Sequence, residues 1–316
     1  MKKLLLLCPL ALLTVGCFDR DYDLSDLDTD HIAIGDDASC FDLPLANIKV
    51  ALDDIHDDKG SLRQMLAEAD VWLPSALPGD TDYVDLHRVR TEDAYLDTLL
   101  DALIDEMTSD EEKLAQVADL AWSDYRIKFL GTLNLPAGVT EAQFLQTFKA
   151  QFRAGTLSSA IRTKTEESAR NYLTALDVET LEYELGELDL GDALDMLVDN
   201  LDPEGTPDPV NTLSIEGEVV SSLPLTLNLS PSFDPADIRI STFLIEADAT
   251  TQLPSTRIYA EDLRRLSRAS NVTVRVPVDL QRYYPGTVID QQTPVTIRLS
   301  LRKTGALNLE LRSTAK

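Results

Sequence analysis

Leu213–Leu229, LSIEGEVVSSLPLTLNL, is the stretch on which the reading of the fold turns. Its odd positions, from Leu213, Ile215, Gly217 and Val219 through Ser221 to Leu223, Leu225, Leu227 and Leu229, make one face that is mostly apolar. A period of two is that of a β-strand with one face on a core and the other in water. Straight, 17 residues would span about 56 Å. Strands average only about 5–6 residues, so a bend is expected near Ser221-Ser222-Leu223-Pro224.

The same period recurs downstream. Strands are predicted over Ile238–Ala247, Asn271–Leu280 and Pro294–Lys303, and a last one carries Leu307, Leu309 and Leu311. Val272, Val274, Val276, Val278 and Leu280 alternate with Thr, Arg, Pro and Asp. Clean in/out alternation is the mark of antiparallel sheets, and such a sheet needs a cover. A second sheet, as in a sandwich, is the expected cover, and upstream helices are the alternative. A short helix, Ala260–Ala269, interrupts the strands.

Upstream, the text is mixed. Strands are predicted at His31–Ile34 and Ile48–Leu52, and a helix over Ser61–Ala69. Glu92–Met107 places Leu96, Leu99, Leu100, Leu103 and Ile104 in one helical stripe. Ser109 with Glu112 reads as a capping box opening a second helix, in which Leu114, Val117, Ala118 and Ala121 recur. Tyr125, Ile127, Phe129, Gly131, Leu133 and Leu135 alternate, which predicts a strand ended by Pro136. Helices follow over Thr140–Ala154, with Phe144, Phe148 and Phe152 on one side, over Lys164–Leu176 and over Leu190–Leu201, and TLEYEL reads as a strand. The Pro/Gly-rich DPEGTPDPVN, Asp202–Asn211, marks a boundary. The expected class is α+β. A helix-containing acidic region, 31–204, precedes an antiparallel β-sandwich-like domain, 205–316.

Charge is uneven. The chain holds 55 acids and 28 Lys+Arg; residues 211–316 carry 11 and 12 of them, leaving 44 and 16 before residue 211. A polyanion would be repelled, so no nucleic-acid partner is expected. The acidic part suits solubility, or a basic partner or divalent cations. Asp53, Asp54, His56, Asp57 and Asp58 are the metal candidates. Counted from Asp54 as an EF-hand loop, they fail: Lys59 stands where Gly is needed and Met65 where Glu is needed. Asp199, Asp202, Glu204 and Asp208 could hold calcium only weakly. No HExxH, GxSxG, P-loop or GxGxxG pattern occurs, so no enzyme and no cofactor are expected. Cys40, Trp72 and Trp122 read as core residues, and Arg264, Arg265 and Arg268 as a small basic surface.

The beginning of the chain, MKKLLLLCPLALLTVGCFDRDYDLSDLDTD, reads differently. Lys2 and Lys3 precede an apolar run, Leu4–Val15, of 12 residues. That is too short for a membrane span and suits a signal-peptide core. Leu13-Thr14-Val15-Gly16-Cys17 resembles the lipobox of bacterial lipoproteins. The resemblance implies cleavage between Gly16 and Cys17 and acylation of Cys17. Two or more acyl chains give stable anchoring where one gives only marginal binding. Residues 17–30, rich in Asp, read as an extended solvated spacer reaching at most about 46 Å. With its DYDLSDLDT opening, this part resembles Bacteroides-type outer-membrane lipoproteins of unknown function. There an acidic patch after the cysteine implies export to the outer face, the cell surface. The implied location is the outer membrane, with the membrane as partner through N-terminal acyl chains. The expected function is a non-enzymatic binding or structural interaction module for a protein or envelope partner. A carrier of lipid or small hydrophobic ligands is the alternative, and a hydrolase a third class.

Overall fold

In the computed structural model, Leu213–Leu229 forms two strands that lie in different sheets. The structure describes residues 31–51, 54–57, 60–155, 159–186, 192–234, 236–287, 289 and 294–310. β7 (Leu213–Ser221) and β8 (Leu225–Leu229) part at Ser222-Leu223-Pro224, where the bend is predicted. β7 lies in the first sheet, between β16 (Val295–Thr304) on one side and the short β12 (Thr250–Gln252) and β13 (Thr256–Ile258) on the other. β2 (Cys40–Val50) closes that sheet beyond β16. β8 lies in the second sheet, between β11 (Phe243–Ile245) and β15 (Val278–Tyr283), with β5 (Val84–Asp85) at its far edge.

The second sheet continues across a crease. β9 (Ser232–Asp234) pairs with β14 (Val272–Val276), flanked by β10 (Ile238–Arg239) and β6 (Leu181–Gly186). Leu229 faces Val278 and Phe233 faces Val274, so the antiparallel register runs unbroken from one ladder to the other. What breaks the strands is Pro231 and Pro277. Neither can donate to a ladder, and only Ser230 N–H to Pro277 O, at 3.4 Å, spans the gap.

The two sheets face each other. Val50, Val295 and Ile297 from the first meet Leu225, Leu227, Leu229, Val276, Val278 and Leu280 from the second around a cavity of about 30 Å³. That is room for about two waters, so the interior is filled. Gly217 sits where β7 crosses Leu299 of β16; an added Cβ would lie 2.1 Å from Arg298 O. Strands from both sides of the Asp202–Asn211 connector share these sheets, because β2, β5 and β6 precede it. β1 (His31–Ile34) likewise pairs with the last described strand, β17 (Leu307–Glu310).

Between the ribbon of β3 (His56–Asp57) and β4 (Gly60–Ser61) and strand β6, the chain forms a helical unit. It comprises α1 (Leu62–Trp72), α2 (Leu86–Thr91), α3 (Asp93–Ser109), α4 (Glu111–Ser123), α5 (Arg126–Leu133), α6 (Glu141–Arg153) and α7 (Ser159–Thr174). α8 (Asp192–Asp199) and α9 (Ala260–Arg268) pack on each other beside the sheets. The Leu96–Met107 stripe of α3 and Phe144, Phe148 and Phe152 of α6 are buried as the 3.6 period predicts. Thr140 caps α6, accepting from Gln143 N–H.

Three expectations are corrected. Tyr125–Leu135 is a helix where alternation predicts a strand. Phe129 and Leu133, one turn apart, are buried, Ile127 is 88% exposed, and left-handed Asn134 (φ 54°) ends the helix before Pro136. Residues four apart satisfy both periods, and packing selects the helix. α4 is capped by Asp110, whose carboxylate accepts Glu112 N–H at 2.8 Å, while Ser109 bonds back to Asp105 O within α3. Cys40 is exposed at the start of an edge strand, with no core above it.

Polar contacts join the helices to the second sheet. Tyr283 of β15 donates its hydroxyl to Asp70 Oδ1 of α1 at 2.5 Å, and Gly286 N–H donates to the same oxygen at 3.1 Å. Arg90 of α2 donates to Asp279 Oδ1 (3.1 Å) and Leu280 O (2.6 Å) of β15. Buried Lys113 of α4 donates to Asp70 O and Leu73 O, satisfying the C-terminal end of α1.

Two measurements check this account. Gly217→Ala forces β7 off β16 and lowers stability by about 2 kcal/mol in chemical denaturation, where an open site would gain. Burial, and then Asp70, raise the Tyr283 hydroxyl above the ordinary tyrosine value. Unfolded tyrosine ionises near pH 10, so the stabilisation is whole below pH 10 and is lost as pH rises beyond it. Tyr283→Phe costs about 1–2 kcal/mol at neutral pH and flattens the fall of Tm between pH 10 and 11.

Candidate functional site

The sequence-predicted metal candidates do not converge. Asp54 is exposed and accepts Ala51 N–H at 3.0 Å. His56 Nδ1 lies 3.6 Å from Glu179 Oε2, and Asp57 pairs with Gly60 through the β3–β4 ribbon. Asp53, Asp58, Gly16 and Cys17 lie outside the described residues. Among the described residues no three His, Cys, Asp or Glu side chains are grouped to hold a metal ion. In the connector, Asp202 accepts N–H groups of Val210 (2.8 Å) and Asn211 (2.9 Å), which hold its carboxyl below the usual range. It staples the loop. Trp72 is fully buried, and Trp122 is half-buried with Arg126 stacked 4.4 Å above it. Arg264 and Arg265 pair with Glu261 on their own helix.

A cleft of about 830 Å³ opens in the helical unit between α1, the α4–α5 corner and α7. Helical spacing builds its walls. Gln64, Ala67, Glu68 and Val71 are three or four apart on α1, as are Ser168, Asn171 and Tyr172 on α7. The third wall holds Leu120, Asp124, Tyr125 and Lys128.

Glu68 is the fixed point. Trp72 Nε1–H donates to its Oε1 at 3.3 Å, and Tyr125 O–H donates to the same oxygen. Trp72 and Tyr125 meet edge to face, centroids 5.4 Å apart. Lys128 Nζ lies 4.9 Å from the Tyr125 ring centre. Burial first, then the Glu68 hydrogen bond, push the Tyr125 hydroxyl upward, so it stays a proton donor. Ser168, a residue of the α7 wall, is 2% exposed, and its Oγ is buried without a hydrogen-bond partner. Buried hydroxyls are normally paired.

A second, smaller recess between α3 and α7 is acidic, with Asp97, Asp101, Glu166 and Glu167 around Arg170. Arg170 bridges Asp93 and Asp97. Glu166 is raised first by burial and then by Asp101.

Sequence reasoning misses the cleft. Glu68, Ser168 and Asn171 each read as one polar residue on an amphipathic helix, and Tyr125 as part of a strand. Only packing of α1 on α7 brings them together; an alternation that also fits residues four apart was the one available signal. No protein-family model, curated protein or solved structure matches the chain.

Glu68→Ala removes the acceptor of two donors, the buried Trp72 indole and the half-buried Tyr125 hydroxyl. We expect a loss of about 1–3 kcal/mol and a red shift of tryptophan emission as Trp72 loosens, both read in one fluorescence-monitored unfolding series.

Proposed function

We propose that the protein is an acylated outer-membrane lipoprotein whose folded body is a non-enzymatic binding module of the cell envelope. The observation that carries the binding half is the cleft of about 830 Å³, with a carboxylate pinned by two donors in its wall. A polar group held in place within a concave wall suits recognition. The anchoring half rests on the lipobox at Cys17 and the acidic spacer behind it. No helix among the described residues is long and apolar enough to cross a membrane.

The carrier alternative needs an apolar cavity, and ligand pockets run to about 300–1,000 Å³. The apolar space between the sheets is about 30 Å³. The long alternating strands that motivate a carrier are spent on filling each other's interior.

Mass spectrometry of the processed protein is expected to find acyl groups on Cys17 as the first residue. Cys17→Ala should move the protein from the membrane to the soluble fraction. A bare thiol in the wild type overturns the anchoring.

A further inference from the structure

We infer that the α4–α5 corner is a membrane-docking tip, at which Ile127 enters an anionic lipid surface while Arg126 and Lys128 meet its headgroups. The inference rests on the reading of the protein as anchored to a bilayer and gives the folded body a second contact with it.

Ile127 is 88% exposed, and no other large apolar side chain among the described residues exceeds 45%. A lone apolar side chain in water is ordinary; the setting of this one is not. Arg126 and Lys128 flank it, each held over a ring. The Arg126 guanidinium lies 4.4 Å from the Trp122 ring centre, and Lys128 Nζ lies 4.9 Å from that of Tyr125. Arg126 also donates to Ala137 O. Residues 125–140 carry these two cations and no acid, whereas the first 210 residues hold 44 acids, about one in five. Asp124 and Glu141 bound the stretch. Glu68, the acid bonded to Tyr125, is occupied by the Trp72 and Tyr125 donors.

At a bilayer surface, apolar side chains lie among acyl chains, Lys and Arg reach headgroups along apolar stems, and Trp and Tyr sit at headgroup level. The corner presents all three kinds within Trp122–Lys128. A protein partner fits less well. A stable protein interface takes about 20–30 residues a side around an apolar centre. The exposed residues that follow Ile127, from Gly131, Thr132 and Asn134 to Ala137 and Gly138, are small or polar. One apolar side chain and two cations would hold a free protein only weakly. An anchored body already stands at high local concentration beside the surface, so the same contact suffices to set its orientation. Salt screens the acidic remainder within about 8–10 Å, so the face nearest the lipid decides the sign of the interaction.

The test holds the whole processed chain, residues 17–316, on vesicles through an N-terminal histidine tag and a nickel-chelating lipid. Cys17→Ser and Cys40→Ser remove the other thiols, and Ile127→Cys then carries an environment-sensitive dye. Leu244→Cys on β11, 38% exposed, is the reference site. On vesicles rich in phosphatidylglycerol, the dye at 127 is expected to shift to the blue and to be quenched by nitroxides on the acyl chains, while the dye at 244 stays in water. Arg126→Gln with Lys128→Gln is expected to lower the ratio of docked to undocked protein about thirtyfold, about fivefold for each cation near an anionic surface. Neutral phosphatidylcholine vesicles should abolish docking with both cations in place, so a folding defect cannot imitate the result. Water-like emission at 127 on the anionic vesicles overturns the inference, as does equal quenching at both sites. A blue shift that requires an added envelope protein also overturns it and assigns the tip to a protein partner. No outcome depends on acylation, so failure of the tip is read apart from a bare thiol at Cys17.

Discussion

Proline's missing N–H organises this molecule. Two long stretches, Leu213–Asp234 and Val272–Tyr283, are cut at Pro224, Pro231 and Pro277. The first cut carries the chain from one sheet to the sheet facing it. The other two lie side by side and fold the second sheet without changing its register. A strand as long as its hydrophobic pattern would leave half its apolar face outside any core of this size. Cutting it lets both halves bury the same face from opposite sides, at about 25 cal/mol for each Å² removed from water.

The helical unit is an insertion between strands of the two sheets and is tied to them by buried polar contacts. Tyr283 at the end of β15 bonds Asp70 of α1, Arg90 of α2 bonds Asp279 and Leu280 nearer its start, and Lys113 ties α4 to the end of α1. Lys113 is held below its ordinary value by burial, and its ammonium bonds to carbonyls at the end of a helix, where positive charge is favoured. The unit is therefore positioned from the same strand that lines the sandwich interior. α1, whose outer face forms one wall of the cleft, is fixed from below by this junction.

Much of the architecture is legible in the residues. The period of two from Leu213 onward yields the sandwich, and even the bend at Pro224. The leucines of α3 give their helix directly, because Leu96, Leu99, Leu100, Leu103 and Ile104 recur at the helical period only, whereas the phenylalanines of α6, four apart, read as a helix with the help of Thr140 at its start. Tyr125–Leu135 shows where such reading fails: a short apolar set spaced by twos and fours fits both periods, and neighbouring helices decide. Ser109 fails for a related reason, since Asp110 beside it is an equally good cap and sits one residue closer to the next helix. The cleft was not legible at all. Its residues come from helices about 100 positions apart in sequence, and each is an ordinary surface residue until α1 and α7 pack.

The pairing of β1 with β17, and of β2 with β16, has a consequence for how the chain is made. His31 lies opposite Glu310, and Val50 opposite Val295. β1 and β2, which leave the ribosome ahead of the helices and of the later strands, thus have no partners in these ladders until β16 and β17 have followed. Contacts of such separation close slowly, and a chain halted before β16 lacks the central strand of its first sheet. Completion of synthesis is in this way built into the fold as a checkpoint: a product that stops before β16 leaves β1 and β2 without their partner strands.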